Sequence, residues 1–193
     1  MSDLNPIVSI CCVTYQHVNY IKDSLDGFLM QETNFPYEIC LGEDESNDGT
    51  REICQEYAEK YPGKIKMFFR KRSNDPYIKQ GFYGKYNFIK TLKECQGKYI
   101  ALCDGDDYWT DPYKLQKQVD LLKESDGISM CYHKVIRPGT KLDEDTYLIK
   151  NDLSTAFIPT SSVVFRNKKE IVNKFINHSK GIISGDQFLF YLC

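Results

Sequence analysis

The sequence predicts an α/β layer fold with a mostly parallel central sheet flanked by helices. Short apolar runs rich in β-branched residues alternate along the chain with segments whose apolar residues recur at helical spacing. Turn and capping residues separate the two kinds of segment. Such an alternating order places helices on the faces of a parallel sheet. At 193 residues, the chain is long enough for one domain of this kind and short for two.

The first half of the chain is expected to supply three strands and three helices. Strands are predicted over 7–13, 37–41 and 65–69, and helices over 20–30, 51–61 and 82–95. Asp48 and Thr50 are capping residues for the second helix, and Pro62-Gly63 ends it. The segment 70–81 is a polar loop, and its basic run Arg70-Lys71-Arg72 is expected to be a solvated face.

The second half continues the pattern with a strand at 99–103. Asp111 is a predicted N-cap and Pro112 the first residue of a helix that runs to about 123. Further strands are expected at 128–135 and 161–165, helices at 168–175 and from about 185, and a charged loop over 137–153. The last helix reaches the C-terminus without a stop signal. We therefore expect residues 1–193 to form a single domain, truncated at its C-terminus relative to a longer natural protein.

Charge and cysteine content narrow the class of protein. A net charge of -2 and a pI near 5.9 argue against nucleic-acid binding, which usually needs a basic excess. The eight cysteines include no C-x-x-C pair, and several lie in apolar runs, so they are expected to be buried and reduced in a cytoplasmic protein. No signal peptide or membrane-spanning run is visible. Any membrane association would be peripheral, at the inner face, or supplied by residues that this chain lacks.

Acidic residues crowd the end of the strand at 99–103. Asp104, Asp106 and Asp107 fall within four residues, and mutual repulsion makes such a cluster costly unless it is compensated. A divalent cation would compensate it, because Mg²⁺ or Mn²⁺ typically bridges one or two carboxylates to substrate phosphates. A solvated acidic turn is the alternative. The apolar strand before the cluster, and Tyr108-Trp109 after it, favour a functional site.

Three segments resemble the family-2 glycosyltransferases of the GT-A fold, a Rossmann-like fold of nucleotide-diphospho-sugar transferases. They are residues 6–15 (PIVSICCVTY), 43–50 (EDESNDGT) and 97–109 (GKYIALCDGDDYW). The order and spacing of the segments match over nearly the whole chain. The resemblance implies metal-assisted, inverting transfer of a sugar from a nucleotide-diphosphate donor, with UDP favoured, to a saccharide or lipid-linked saccharide hydroxyl. The implied setting is cell-surface polysaccharide synthesis.

The same resemblance implies roles for particular residues. Tyr15 would pack on the nucleotide base with Thr14 beside it, and Asp44 would hydrogen-bond the uracil or ribose. Glu43 stands where the family often has another Asp. Asn87 opens the helix where the family often contacts the donor, and a helix-surface residue without a role is the alternative.

In the acidic cluster, Asp104 would contact the ribose or the metal shell. Asp106 and Asp107 would hold Mn²⁺ or Mg²⁺ directly or through water. His17 lies just after Tyr15 and is expected to be a loop histidine without a role, with an approach to the nucleotide as the alternative.

The general base is predicted from the segment Gly185-Asp186-Gln187, which resembles the family's Gly/Glu-Asp segment. Asp186 would take the proton from the acceptor hydroxyl. The same residue could instead be a helix N-cap, because it precedes an apolar run.

Other functions remain open from the sequence. A sugar-nucleotide-binding module without transfer activity would share the donor residues. A nucleotidyltransferase would need a Gly-rich phosphate loop near the N-terminus, and residues 13–18 contain no glycine. A phosphatase with an Asp nucleophile would place that residue after the first strand, whereas Asp104 follows the fourth.

Overall fold

A computed structural model of the chain describes residues 5–80, 83–135, 147–148 and 158–178. The strands within these ranges are β1 (Val8–Thr14), β2 (Tyr37–Glu43), β3 (Ile65–Phe69), β4 (Tyr99–Leu102), β5 (Met130–His133), β6 (Tyr147–Leu148) and β7 (Val164–Arg166). The helices are α1 (Ile21–Leu29), α2 (Thr50–Lys60), α3 (Lys85–Glu94), α4 (Lys114–Glu124) and α5 (Lys169–His178). The alternating order confirms the predicted α/β class.

The strands lie in the order β3-β2-β1-β4-β7-β5-β6. β3, β2, β1 and β4 are parallel, whereas β7 and β5 continue the sheet in antiparallel pairings. The chain adds β2 and β3 on one side of β1 and then returns to place β4 on the other side. This reversal is a topological switch point, where open α/β sheets bind their ligands beyond the carboxyl ends of the strands.

Helices cover both faces of the sheet, and apolar residues are buried between the helices and the strands. One face carries α1, α2 and α4 through residues such as Phe28, Tyr57 and Val119, and the other carries α3 and α5 through residues such as Leu92 and Phe175. Neighbouring strand residues point to opposite faces. The seven described cysteines are free and buried, as the sequence predicted.

Several elements differ from prediction in their bounds, and three differences affect the second half of the sheet and its helices. α4 begins at Lys114 and not at Pro112, because Asp111 Oδ1 accepts the Tyr113 N–H at 2.9 Å and closes a turn ahead of the helix. The strand expected at 161–165 begins at Val164, because residues 160–162 form a 3-10 turn.

The third difference falls in the charged segment 137–153, which was expected to be a loop. Its residues 147–148 form β6, and they pair with Tyr132 and His133 of β5. The helix predicted from about residue 185 lies outside the described residues. Of the helices that the structure describes, none has the length and apolar character needed to cross a membrane.

Candidate active site

The carboxyl ends of β1, β2 and β4 meet at one edge of the sheet. The Asp44 N–H donates to the Thr14 carbonyl at 3.1 Å, and the Gly105 N–H donates to the Val13 carbonyl at 2.9 Å. These bonds join the segment after β1 to the acidic turn after β2 and to the acidic cluster after β4. The structure therefore gathers the predicted residues Thr14, Asp44 and Asp104 around the switch point.

Gly105 permits the close approach of the acidic cluster to β1. A β-carbon at this position would lie 2.5 Å from Thr14 Oγ1 and 2.7 Å from Thr14 Cβ. Real β-carbons do not come so close to a buried side chain, and Thr14 is itself buried. The glycine between the two aspartates is thus a packing requirement of the site.

Asp44 is a buried carboxylate at this edge of the sheet. Its side chain is 2% exposed, and Oδ2 accepts a 2.8 Å hydrogen bond from Arg72 Nη1. Within the described part of the chain, Oδ1 is buried and has no hydrogen-bond partner. Burial raises the pKa of Asp44 to about 6, against the Arg72 charge, which lowers it. Because Oδ1 has no partner in the described part of the chain, it is available to accept a hydrogen bond from a ligand.

Arg72 also covers Tyr15. Its guanidinium lies 3.9 Å from the centroid of the Tyr15 ring, within range of a cation–π contact. The backbone N–H of Arg72 donates to Glu45 Oε2 at 2.9 Å. Arg72 therefore contacts both Tyr15 and Asp44 at this edge of the sheet.

The prediction of a solvated basic run is therefore wrong for Arg72. Only 21% of its side chain is exposed. The sequence predicted a mostly parallel sheet, and in the structure β3 is parallel to β2, so the residues that follow β3 reach the same edge as Asp44.

Glu43 is directed into the protein. Its carboxylate forms an ion pair with Arg51 and accepts the N–H groups of Glu45 at 3.2 Å and Ser46 at 2.6 Å. These contacts shape the loop that presents Asp44. A donor contact by Glu43 stays a prediction.

Asn87 lies at the start of α3 and is buried against β2. Its Nδ2 donates to the Gly42 carbonyl at 2.9 Å, and its Oδ1 accepts the Thr91 hydroxyl at 3.2 Å. A β-carbon at Gly42 would lie 2.3 Å from Asn87 Oδ1, so helix and strand pack closely here. These contacts make Asn87 a packing residue, and its predicted donor contact is untested.

The acidic cluster forms a turn that hydrogen bonds of its own backbone and of Ser24 stabilise. The Asp107 N–H donates to the Asp104 carbonyl at 3.1 Å, and the Asp107 carbonyl accepts the Ser24 hydroxyl at 2.6 Å. Asp106 and Asp107 are exposed, and Asp104 is half-buried. Oδ2 of Asp106 lies 3.9 Å from Nε2 of His17.

The carboxylates of Asp106 and Asp107 fit a cation whose other ligands come from a bound substrate and from water. No group of three His, Cys, Asp or Glu side chains suited to enclosing an ion occurs among the described residues. Mg²⁺ and similar ions usually take one or two protein carboxylates and complete their shell with substrate phosphates and water. The exposed carboxylates of Asp106 and Asp107 satisfy that requirement. Asp186, the predicted general base, lies outside the described residues.

Comparison with known proteins identifies the family to which the chain is related. The family described as Glycosyl transferase family 2 matches residues 9–190. An uncharacterized protein of Mycobacterium tuberculosis is 40% identical over 172 residues, covering 83% of this chain and 47% of that protein. TuaG of Bacillus subtilis, named as a teichuronic acid biosynthesis glycosyltransferase, is 31% identical over 146 residues, covering 75% of this chain and 54% of that protein.

Two solved structures share the fold. Staphylococcus aureus TarS 1–349 in complex with UDP has a TM-score of 0.63 at 18% identity, over 96% of this chain and 54% of that one. The mannosyltransferase PcManGT of Pyrobaculum calidifontis, in complex with GDP-Man and Mn²⁺, has a TM-score of 0.61 at 19% identity, over 89% of this chain and 47% of that one.

The chain spans about half the length of the curated relatives it matches. The family match nevertheless covers nearly all of the chain, including the three segments that meet at the switch point. With its α/β sheet and acidic turns at the strand ends, the chain belongs to the family-2 glycosyltransferases and has their GT-A fold.

Proposed function

We propose that this chain is the donor-binding and catalytic domain of an inverting glycosyltransferase. It moves a sugar from a nucleotide-diphosphate donor, with UDP as the carrier, to the hydroxyl of a saccharide or lipid-linked saccharide. The observation that carries the proposal is Asp44, a buried carboxylate with one oxygen paired to Arg72 and the other without a partner within the described ranges.

The nucleotide would supply the hydrogen-bond donor that Oδ1 of Asp44 lacks in the described part of the chain. A buried acceptor without a hydrogen bond costs free energy, roughly 1–3 kcal/mol. The imide N–H of uracil, or a ribose hydroxyl, would donate to Oδ1. Tyr15 offers its ring face to a planar base beside this carboxylate, and Arg72 leaves or shares that face when the base binds. This donor pattern favours a uridine nucleotide.

Asp106 and Asp107 would hold the cation, and Asp104 would contact the ribose or the metal shell. Bound there, Mn²⁺ or Mg²⁺ would act as a Lewis acid for the charge that grows on the departing diphosphate. The chain's own contribution is to keep the carboxylates at a fixed place. The Ser24 hydroxyl and the close contact of Gly105 with Thr14 do this.

Asp186 would act as the general base that accepts the proton of the acceptor hydroxyl during in-line displacement at the anomeric carbon. A base of this kind contributes about 10²–10⁴-fold to the rate. Asp186→Asn is therefore expected to abolish nearly all transfer while UDP affinity stays near that of the wild type. Asp126→Asn, at an exposed aspartate distant from the site in sequence, is the matched control. Wild-type turnover in Asp186→Asn would remove the base assignment.

The proposed setting is cell-surface polysaccharide synthesis, at the inner face of the membrane. The name of TuaG refers to teichuronic acid biosynthesis, which supports a polysaccharide acceptor, and TarS is solved with UDP, which supports a uridine carrier. A binding module without transfer activity is the second candidate, because the chain spans about half of its relatives' length.

One experiment tests donor binding directly. A ligand that binds only the folded state raises the melting temperature. UDP with Mn²⁺ is expected to raise it in the wild type and to raise it much less in Asp44→Asn. An equal rise in both proteins, or a rise with GDP but none with UDP, would contradict the proposed carrier. Release of UDP from UDP-sugars, compared with release of pyrophosphate, separates transfer from nucleotidyl chemistry.

A further inference from the structure

His17 lies between the end of β1 and the acidic cluster. Its Nε2 is 3.9 Å from Asp106 Oδ2, and its Nδ1 is 3.3 Å from Thr14 Oγ1. The separation from Asp106 exceeds a direct hydrogen bond. The imidazole is mostly covered, with 23% of the side chain exposed, whereas Asp106 is 54% exposed. One ring nitrogen thus faces the protein and the other faces the proposed cation site.

The backbone holds the His17 ring in this place. The preceding residue, Gln16, has a φ of 59°, in the left-handed region that side chains other than glycine rarely adopt. The Gln16 side chain is bound to Asn47 by two hydrogen bonds of 2.8 and 3.0 Å. The His17 N–H donates to Thr50 Oγ1 at 2.8 Å. Strained backbone that its surroundings hold in place is typical of functional sites.

The carbonyl of His17 is also engaged, because it accepts the N–H groups of Tyr20 and Ile21 at 2.9 Å each. The loop is therefore tied to the turn after β2 and to the start of α1. A ring mounted on such a loop has little freedom to turn away from Asp106.

We propose that His17 supplies Nε2 as a second protein ligand to the cation held by Asp106, and that this nitrogen makes the site prefer Mn²⁺ to Mg²⁺. The inference rests on the proposed function. Adjacent ligands of an octahedral ion with bonds of about 2.1 Å lie about 3.0 Å apart, and opposite ligands about 4.2 Å apart. The observed 3.9 Å between Nε2 and Oδ2 lies between these values. A small side-chain adjustment would therefore place both atoms on one ion.

The chemistry of the two ring nitrogens agrees with this role. Metal-binding histidines usually donate the other ring N–H to a neighbouring acceptor, which fixes the tautomer. Thr14 Oγ1 is placed to accept from Nδ1, which leaves the lone pair of Nε2 for the ion. Imidazole suits transition metals, whereas Mg²⁺ favours an all-oxygen shell. His17 would therefore set metal preference, a property that the carboxylates alone do not provide.

The test uses the whole chain labelled with ¹⁵N-histidine, together with UDP and Mn²⁺. Pulsed electron paramagnetic resonance of the bound Mn²⁺ is expected to show a directly coordinated ¹⁵N nucleus. The signal should disappear in His17→Gln and persist in His133→Gln, which changes a histidine at the end of β5. Competition of Mg²⁺ against Mn²⁺ should show the Mn²⁺ preference falling on the order of tenfold in His17→Gln.

The outcomes separate this inference from the proposed function. Mn²⁺ bound with UDP but without histidine coupling in the wild type, or an unchanged metal preference in His17→Gln, overturns the role of His17 alone. Absence of Mn²⁺ binding in the wild type with UDP, or full binding in Asp106→Asn, overturns the metal site and His17 together. Retained thermal stabilisation by UDP in His17→Gln shows that the variant is folded.

Discussion

Arg72 Nη1 donates a 2.8 Å hydrogen bond to Asp44 Oδ2. The two residues are 28 positions apart, and the bond joins the segment after β3 to the turn after β2. The same guanidinium lies over the ring of Tyr15. Arg72 therefore links the segment after β3 both to the turn after β2 and to the residue that follows β1. The proposed nucleotide-binding face is thereby preorganised around a buried carboxylate.

Arg72→Ala is expected to weaken UDP binding on the order of 10–100-fold, because the Arg72 charge lowers the pKa of Asp44 and so favours its ionised form. The proposed hydrogen bond from the base to that ionised carboxylate is worth roughly 1.5–3 kcal/mol. Loss of the guanidinium also leaves Asp44 without its counter-charge. Calorimetric titration of UDP measures the effect. Lys71→Ala, at the exposed neighbour, is the matched control and should bind as the wild type does. Equal affinity in both variants would show that Arg72 has no part in donor binding.

Asp44 should make stability depend on pH in an unusual direction. Its pKa is raised from 3.8 to about 6 by burial, so the folded state holds the proton more tightly than the unfolded state. Its contribution to stability is fully present below about pH 3.8 and is lost as pH rises through about 6. The free energy of unfolding of the wild type, relative to Asp44→Asn, should therefore increase from pH 7 to pH 4 in urea unfolding. A difference that is constant across this range would contradict the raised pKa.

Asp106→Asn and Asp107→Asn should each weaken the Mn²⁺-dependent part of UDP binding, because an amide is a poorer ligand for a hard cation than a carboxylate. UDP affinity measured in chelator should stay near the wild-type value. Asp126→Asn serves as the charge-matched control. If UDP affinity in the wild type does not respond to Mn²⁺, the acidic cluster is not a metal site.

Gly105→Ala should destabilise the fold and disturb the acidic cluster, because the new methyl group would collide with Thr14. Overpacking of this kind costs about 1–3 kcal/mol. Gly127→Ala is the matched control, since no atom lies within 4 Å of a β-carbon at that position. Chemical denaturation of the two variants measures the difference. Equal stabilities would show that the turn moves without cost.

Lys114 is a buried lysine, and within the described part of the chain its Nζ has no hydrogen-bond partner. Nζ lies 4.0 Å from the centroid of the Trp109 ring, and burial lowers its pKa to about 7. Its contribution to stability is present above about pH 10.5 and is lost as pH falls through about 7. The wild type should therefore gain stability relative to Lys114→Met between pH 7 and pH 9.5. Lys117→Met, at a more exposed lysine, should show a smaller pH dependence.

Local sequence pattern was sufficient for the elements of the parallel half. β3 was predicted at its observed bounds, and β1, β2 and β4 within two residues, because apolar β-branched runs report burial on both faces. The buried cysteines followed from the same runs. β6 was missed because two residues in a charged segment carry no periodicity of their own. α4 began late because the Asp111 side chain closed a turn before the helix.

The sequence by itself determined the α/β class, the positions of β1 to β4 along the chain, and the acidic turns after β2 and β4. These features depend on residues that lie close together in the chain. Only the tertiary structure decided that Arg72 reaches Asp44 and Tyr15, that Asn87 packs on Gly42, and that His17 faces Asp106. Those relationships join residues that lie far apart in the chain. They arise from the register of parallel strands, which brings the carboxyl ends of β1, β2, β3 and β4 to one edge.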